Sequence, residues 1–245
     1  LGTAYLSFFV GEYVCAVSGV LCTVSAAIVL AEFGQPLINE PHAMHRVWHT
    51  LEFVGNTIIF LLAGALVGRE ARAFMNQGNA WSTYWAPVIN LAREPRWGRN
   101  IETPGEDPYL TGEYATAFVK GFEVSEDDES HLQASACCKH YAANSMEHTT
   151  EGGQTHTRHD FDANITMQDL VDSYMPPFQA CVEEGRVSGL MCSYNAVNGV
   201  PTCASDWLLT TVARGEWGFD GYVTSDCGAE NDVFASHHYT KTPKE

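Results

Sequence analysis

The sequence predicts an α/β fold in which the strands of a parallel sheet alternate with helices. Short apolar runs rich in β-branched and aromatic residues alternate with longer helix-like runs from residue 69 onward. Polar side chains capable of chemistry follow these short runs, as expected where parallel strands end. A nearly uncharged stretch over residues 1–68 predicts an apolar α-helical, membrane-like segment before the sheet.

Residues 1–68 differ from residues 69–245 in charge. The 245-residue chain has a net charge of −17, and only −3 of it lies in the first segment. Two uncharged stretches, Val14–Ala31 and Phe53–Gly68, approach the roughly 20 apolar residues that a membrane-spanning helix needs. We therefore expect a domain boundary near residue 68 and transmembrane helices before it. A pair of buried core helices is the alternative.

Three short stretches of the first segment carry a family resemblance. They are Val17–Leu21, Met44–Trp48 and Asn56–Gly64, and they resemble the transmembrane region of cation/proton antiporters. A working antiporter needs more spans and paired intramembrane acids, so the resemblance implies only a fragment. The corresponding hypothesis is a chimaeric or fragmentary chain joined near Gly68.

Composition restricts the ligands and partners. Thirty acidic residues against thirteen basic ones disfavour nucleic acid and anionic membrane surfaces, and fit a neutral, hydroxyl-rich ligand. The eight cysteines show no spacing typical of a zinc site, so metal binding is not expected. Asn164-Ile165-Thr166 is a glycosylation sequon and fits a secreted protein. The cysteines leave the redox compartment open.

The second segment is predicted to run in the order βαβαβαβ. The strands are predicted at Trp85–Leu91, Gln133–Cys138, Val187–Ser193 and Gly221–Ser225. The helices are predicted at Asp107–Phe122, Thr166–Glu184 and Ser205–Arg214. Thr166 and Asp169 fit a capping box, Ser205 or Asp206 fits an N-cap, and Pro176 with Pro177 predicts a kink or break.

Each predicted strand is followed by polar residues. These are Arg93–Arg99, Lys139–His140, Tyr194–Asn195 and Asp226. Each has a structural explanation of its own, such as a salt bridge, a packed ring or a turn cap, but their recurrence at four strand ends favours one site. Two cations such as Arg99 and Lys139 keep a nearby carboxylate ionised, which a nucleophilic Asp226 requires, and they also bind sugar hydroxyls.

Ordered motifs across residues 69–245 resemble the barrel domain of family 3 glycoside hydrolases. They include Glu70–Phe74, Trp85–Pro87, Arg96–Arg99, Glu102–Pro108, Cys138–Tyr141, Met191–Asn195, Asn198–Pro201 and Gly218–Cys227. The resemblance implies a partial (β/α)8, or TIM-type, barrel and a retaining exo-β-glycosidase without a cofactor. It also implies roles for five residues. Asp226 would be the nucleophile, Arg99, Lys139 and His140 would hold the hydroxyls of the terminal sugar, and Tyr194 would contact the nucleophile.

Details of these motifs are similar to the β-xylosidase/α-arabinofuranosidase branch. Thr224–Cys227, Cys138 before Lys139, and the tail Tyr239–Pro243 carry this similarity. It implies hydrolysis of terminal β-D-xylosyl residues from oligosaccharides or xylan fragments. The protein would be secreted, or anchored to a membrane if residues 1–68 span one. Ser205-Asp206-Trp207 also spells the nucleophile triplet of the glucosidase branch, but it follows a turn and opens an apolar run, so Asp206 is predicted to be an N-cap.

Only one of the two carboxyl groups that retaining hydrolysis requires is assigned. The resemblance places the acid/base on a Glu of a later domain and gives no such role to Glu102, Glu106 or Glu230. Weak or absent turnover is therefore expected. A catalytically inert carbohydrate-binding remnant and an antiporter-type membrane fragment are the alternative functions.

Overall fold

The computed structural model describes residues 41–125, 128 and 130–244, together with the isolated residues 6, 9, 10 and 25. Apart from Ser25, the predicted span Val14–Ala31 lies outside the described residues. Contacts divide the chain into two units, residues 1–55 and residues 56–245. The predicted boundary near residue 68 stays a prediction.

Five α-helices occur in the described part. They are α1 (Pro41–Asn76), α2 (Pro108–Glu123), α3 (Met167–Asp169), α4 (Pro176–Glu183) and α5 (Ala229–Ala235). Two π-helical stretches, Leu170–Tyr174 and Trp207–Glu216, lie between them. Helix α2 begins where Asp107 Oδ1 accepts a bond of 2.7 Å from the Leu110 N–H, which satisfies one of the free donors of the first turn.

Helix α1 contains the apolar sequence predicted to span a membrane. Its Arg46–Asn76 part is long and apolar enough to do so by length and composition alone. Within the second unit, however, this helix packs closely on α2. A Cβ on Gly64 would lie 2.3 Å from the Phe118 carbonyl oxygen, and one on Gly121 would lie 2.2 Å from that of Leu61. Only glycine permits this approach, so this part of α1 is a packing element of the second unit.

Three strands form the central parallel sheet in the order β1–β5–β8. They are β1 (Cys137–Tyr141), β5 (Gly189–Cys192) and β8 (Tyr222–Ser225). Between β1 and β5 the chain forms a hairpin of β2 (His148–Glu151) and β3 (Gln154–Thr157). The short strands β4 (Asp162–Ala163), β6 (Ala196–Val197) and β7 (Val200–Pro201) form a further sheet.

Three predicted strands are confirmed as strands with shifted ends, and the first is wrong as a regular strand. In place of the predicted strand Trp85–Leu91, isolated parallel bridges pair Thr83 with Ser135 and Val88 with Lys139. Pro87 lies in this segment and has no N–H for a ladder. The described strands form an open sheet, so the partial barrel stays a prediction.

The predicted helix Thr166–Glu184 is divided, as its two prolines indicate. Thr166 Oγ1 accepts from the Asp169 N–H at 3.1 Å, which confirms the cap. The chain then passes through the π-helical stretch Leu170–Tyr174 before α4 starts at Pro176. Proline fits the first turn of a helix because it has no N–H to leave unsatisfied there. The hairpin β2–β3 and the small sheet were not predicted, since their strands of two to four residues are too short to show a clear period.

A buried carboxylate ties together the beginnings of the three parallel strands. Glu123, at the end of α2, accepts bonds from the Ala136 N–H at 2.7 Å and from Ser188 Oγ at 2.6 Å. The hydroxyl of Ser135 lies 2.7 Å from Ser188 Oγ and 2.9 Å from the Tyr222 hydroxyl. Burial raises the pKa of Glu123. We call these five residues the base network.

Two disulfides connect the sheet to its surroundings. Cys138 of β1 is bonded to Cys181 of α4, and Cys192 of β5 to Cys203. Among the cysteines that the structure describes, Cys137 and Cys227 are free. The sequence left this pairing open, because eight cysteines allow many connectivities.

Candidate active site

The predicted site residues meet at the carboxyl ends of the parallel strands. Lys139 and His140 lie in β1, Tyr194 follows β5, and Asp226 follows β8. The Asp226 N–H donates to the Cys192 carbonyl at 3.1 Å, so strand pairing continues up to the candidate nucleophile. One Asp226 oxygen accepts from the Cys227 N–H at 2.8 Å. The other faces His140, with Nε2 and Oδ2 3.4 Å apart.

His140 is buried and held in one tautomer by Asn90. The side-chain amide of Asn90 accepts from the backbone N–H of His140 and donates to the backbone carbonyl of His140, each at 2.8 Å. These two bonds fix the orientation of the amide. Its Oδ1 also lies 3.1 Å from His140 Nδ1, so Nδ1 carries the proton in the neutral ring. Nε2 then presents a lone pair and accepts from Arg99 Nη2 at 3.4 Å.

Burial and nearby cations lower the pKa of His140 to about 2. Burial is the larger cause, and Arg99, Lys139 and Arg158 add to it because their charges oppose a second positive charge. The ring is therefore neutral at ordinary pH. Its contact with Asp226 is that of a polar neighbour, not of an ion pair.

Arg99 is oriented by carboxylates on two sides. Its Nε and Nη2 donate to the two oxygens of Glu102 at 2.9 and 2.7 Å, a bidentate pair. Its Nη1 lies 3.8 Å from Glu147 Oε1, which also accepts from Trp97 Nε1 at 3.1 Å. The bond to Glu102 raises the pKa of Arg99, and the charge of Asp226 adds to the rise. The guanidinium is thus positioned before any ligand binds.

Lys139 lies between the same charges. Burial lowers its pKa, and Arg99 lowers it further, whereas Asp226 and Glu102 act in the opposite direction. These interactions place the ammonium within electrostatic range of both carboxylates. The association of two cations with Asp226 stays a prediction, and the direction of these charge effects agrees with it.

Tyr194 is fixed by two contacts to its ring and one to its backbone. The Arg158 guanidinium lies 4.7 Å from the ring centroid, and the His159 ring 4.5 Å from it. His237 Nε2 donates to the Tyr194 carbonyl at 2.7 Å. Burial raises the pKa of Tyr194 to about 12, and the charge of Asp226 and a hydrogen bond to it add to the rise. The phenol therefore stays protonated and donates toward the carboxylate.

Sequence reasoning missed the residues that hold Tyr194 and Arg99. His159 donates through Nδ1 to Asp232 Oδ2 at 2.7 Å, and Asp232 lies on α5, just after the candidate nucleophile. Glu147 is shared between Arg99 and Arg158, with 3.3 Å to the latter. The sequence offers one signal for them, the adjacent Arg158 and His159 after the Gly152-Gly153 turn. No strand with a clear period of two precedes this pair, so the sequence does not mark it as part of the site.

The remaining acidic residues have other positions. Asp206 is exposed and occupies the N-cap position without a side-chain bond, whereas the Leu208 N–H bonds to Ser205 Oγ at 3.2 Å, so of the two predicted caps Ser205 provides the bond. A serine hydroxyl reaches this N–H because it lies three residues before it. Ser225 Oγ donates to Glu230, which lowers the pKa of that carboxyl. Glu106 is exposed.

Comparison with known proteins identifies the family. The family model for the N-terminal domain of glycosyl hydrolase family 3 matches residues 62–243. The chain belongs to this family. Its family 3 part therefore begins within α1, and the glycosidase half of the predicted resemblance is confirmed. The antiporter resemblance of residues 1–68 gains no support and stays a hypothesis.

Curated relatives of this family 3 chain are similar over three quarters of its length. A β-xylosidase/α-L-arabinofuranosidase 1 of Medicago sativa subsp. varia is 49% identical over 191 residues, which are 78% of this chain and 24% of the relative. A probable exo-1,4-β-xylosidase of Aspergillus clavatus is 46% identical over 183 residues, or 74% and 23%. The chain thus spans about a quarter of the length of the relatives it matches.

Solved structures show the same similarity. A family 3 exo-β-xylosidase in complex with a xylobiose aziridine activity-based probe is 38% identical with a TM-score of 0.72, covering 79% of this chain and 25% of its own. β-Glucosidase 3B from Thermotoga neapolitana in complex with glucose is 31% identical with a TM-score of 0.59, covering 71% and 22%. The chain is therefore a glycoside hydrolase by family.

Proposed function

We propose that this chain contributes the nucleophile half of a retaining exo-β-glycosidase. The observation that carries the proposal is the convergence on Asp226 at the carboxyl end of the sheet. A neutral His140 ring lies 3.4 Å from the carboxylate, and the charges of Arg99 and Lys139 and the phenol of Tyr194 surround it. A carboxylate held among donors and cations suits attack on an electrophilic carbon.

In the proposed reaction, Asp226 attacks the anomeric carbon of the terminal sugar. The bond from that carbon to the leaving oxygen breaks, and its electron pair departs with the oxygen. Arg99 and Lys139 donate to sugar hydroxyls and keep the nucleophile ionised. His140 Nε2 accepts from a sugar hydroxyl in place of its 3.4 Å contact with Arg99 Nη2. Tyr194 orients the carboxylate through its protonated phenol.

The proposed sugar is a terminal non-reducing β-D-xylosyl residue of an oligosaccharide or xylan fragment. The names of the Medicago and Aspergillus relatives and of the xylosidase neighbour support this choice. The β-glucosidase neighbour is less similar in both identity and TM-score. We propose a secreted protein with a carbohydrate as its only small-molecule partner, and no cofactor.

The acid/base is proposed to come from outside residues 62–243. Among the acidic neighbours of the site, Glu102 is paired with Arg99 and Glu147 with two arginines, so neither is free to protonate a leaving group. A poor leaving group then leaves slowly, because proton transfer contributes roughly 10²–10⁴-fold. A dinitrophenolate leaves without protonation and bypasses this need.

The test is intact-mass analysis of the purified full chain after incubation with 2,4-dinitrophenyl 2-deoxy-2-fluoro-β-xyloside. We expect a mass increase of one fluoro-sugar, located at Asp226 by peptide mapping. Asp226→Ala should show none, and Asp206→Ala, which removes the other triplet aspartate, should label like the native chain. A folded native chain without an adduct would refute the assignment. Matched fluoro-glucoside and fluoro-arabinofuranoside probes rank the sugars.

The inert remnant stays an alternative function, and the same sample separates it. A remnant would bind xylose in a calorimetric titration without ever forming an adduct.

Membrane attachment through Arg46–Asn76 is a second proposal, motivated by the length and hydropathy of that helix. Flotation of the full chain with lipid vesicles would support it, and a chain left entirely in the dense fraction would refute it.

A further inference from the structure

Asn164 belongs to the only Asn-X-Ser/Thr triplet in the sequence. It follows strand β4 and precedes the cap of α3, so it lies on a connection between two elements. Its side chain is exposed. A sequon at an exposed connection is where a large polar attachment can be accommodated without displacing packed residues.

The backbone of this triplet is held in place at Ile165 and Thr166, the two residues that follow Asn164. Asn198 accepts from the Ile165 N–H and donates to the Ile165 carbonyl, each at 2.9 Å. Thr166 Oγ1 caps α3 through the Asp169 N–H and donates to Asp169 Oδ2 at 2.8 Å. The Ala163 carbonyl, before Asn164, also accepts from the Asn198 N–H at 3.1 Å, so the backbone is held on both sides of Asn164.

A small cleft lies beside Asn164. It has a volume of about 140 Å³ and is lined by Arg93, Asn164, Ile165, Asp169 and Tyr174. The Arg93 guanidinium lies 5.1 Å from the centroid of the Tyr174 ring. The cleft therefore offers an aromatic surface, a cation and a carboxylate side by side. This combination suits a pyranose ring, which has apolar C–H faces and polar substituents at its edge.

The cysteine pairing indicates an oxidising compartment. The two disulfides, Cys138–Cys181 and Cys192–Cys203, are of the kind that persists in secreted proteins. The secretory route is also where N-linked oligosaccharides are attached. The disulfides are independent of the triplet, since neither lies in the cleft.

We propose that Asn164 carries an N-linked glycan whose first sugar packs in the cleft on Tyr174 and Arg93. The donor is an oligosaccharide bound through a pyrophosphate to a lipid. The Asn164 amide nitrogen forms a bond to C1 of the first sugar and loses a proton. The bond from C1 to the phosphate oxygen breaks, and its electron pair leaves with the lipid pyrophosphate.

The first test is translation of the full chain behind a cleavable signal peptide in the presence of endoplasmic reticulum microsomes. We expect one mass addition that peptide:N-glycosidase removes with conversion of Asn164 to Asp. Asn164→Gln and Thr166→Ala should abolish it, whereas Thr166→Ser should retain it because serine preserves both the triplet and the cap. Trp81→Thr creates a second triplet at the exposed Asn79 and reports whether this part of the chain enters the lumen.

The proposal fails if the Trp81→Thr chain gains a glycan at Asn79 while Asn164 stays unmodified. It fails equally if neither position is modified, because Asn164 would then never meet the donor. Neither outcome involves Asp226 or the fluoro-sugar probe, so glycosylation and glycosidase function are tested separately.

The second test addresses the cleft. Removing the glycan should lower the Tm of the native chain by about 2 °C, because the sugar loses its contact with Tyr174. Asn164→Asp has the same covalent chain as the deglycosylated protein and should match its Tm. In Tyr174→Ala the glycosylated and deglycosylated forms should have equal Tm values. An undiminished difference in that variant would place the first sugar elsewhere.

Discussion

The two ends of the parallel sheet each hold a carboxylate, and they use it differently. At the amino ends of the strands, Glu123 receives bonds from two backbone N–H groups and one serine hydroxyl. At the carboxyl ends, Asp226 receives one backbone bond and one from the Tyr194 phenol, and otherwise faces His140 and the charges of Arg99 and Lys139. The first carboxyl is satisfied by the fold, and the second keeps bonding capacity for a ligand.

The difference lies in what surrounds the charge. The base network contains hydroxyls and N–H groups, which hold strand starts in register whether or not the carboxyl is ionised. The site contains cations that are themselves positioned by further carboxylates, such as Glu102 and Glu147 on Arg99. Hydrogen-bond donors that are paired within the fold stabilise it, whereas donors directed at one position that a ligand can occupy stabilise charge in a reaction.

The largest effect on stability is expected from Glu123→Ala. It leaves the buried N–H groups of Ala136 and Ser188 without an acceptor, and we expect a loss of about 3 kcal/mol in the free energy of unfolding. Glu123→Gln keeps an acceptor oxygen and should lose about 1 kcal/mol. Urea denaturation measures both. A labelling rate per folded molecule that falls with Glu123→Ala would mean the two ends are not independent.

Arg99→Ala should act on the candidate site at the carboxyl ends of the parallel strands. Removing the guanidinium deprives Asp226 of a cation and the sugar of a donor, so we expect fluoro-sugar labelling to slow about 100-fold. Arg96→Ala is the matched control, since Arg96 is exposed and pairs only with Glu94. Equal labelling rates for the two variants would remove Arg99 from the site. Time-resolved intact mass provides the rates.

A smaller effect is expected from His159→Ala, which removes one of the two contacts to the Tyr194 ring. Labelling should slow about 5-fold, because the phenol becomes less ordered against Asp226. His159→Phe keeps the ring contact but loses the bond to Asp232, so a rate near that of the native chain would assign the effect to the ring. His156→Ala, which removes a histidine paired with Asp160 on the hairpin side, is the control.

The smallest expected effect is that Glu123 and Glu102, at opposite ends of the sheet, change the free energy of unfolding in opposite directions as pH rises. Burial raises the folded-state pKa of Glu123, so the unfolded chain ionises first as pH rises from about 4.3. Its contribution to stability is therefore present at low pH and lost as pH rises through the folded value. The bond to Arg99 lowers the pKa of Glu102, whose contribution is instead lost as pH falls.

Urea denaturation of the native chain, Glu123→Gln and Glu102→Gln between pH 3 and 7 checks these signs. Relative to Glu123→Gln, the native chain should lose stability with rising pH above about 4. Relative to Glu102→Gln, the native chain should gain stability as pH rises through the acidic range. Parallel slopes for both pairs would contradict the contrast drawn between the two carboxyls.

The sequence predicted those parts of the fold whose cause is local. The helix at Asp107 has its cap and its proline in adjacent positions, and the strand at Gly221–Ser225 has β-branched residues between glycines, so both were found within a residue or two. The three strand ends that carry Lys139 with His140, Tyr194, and Asp226 could be aligned on one edge, because parallel strands share a direction.

The parts that were missed depend on contacts distant in sequence. Asn90 and His140 are fifty residues apart, and nothing local to either shows that one amide fixes the tautomer of the other ring. His159 and Asp232 are farther apart still, at seventy-three. Glu123 lies just beyond the predicted helix Asp107–Phe122, and nothing local to it indicates burial. Its burial follows from the packing of α2 beneath the strand starts.

By itself, the sequence determined the family, the parallel α/β order and the identity of the candidate nucleophile, because ordered motifs and strand periods are properties of short segments. Only the tertiary structure decided which acidic residues serve the fold and which face the site. It also decided that the second half of the apolar helix α1 packs on α2 through Gly64 and Gly121. The charge state and role of a side chain depend on neighbours that only folding brings together.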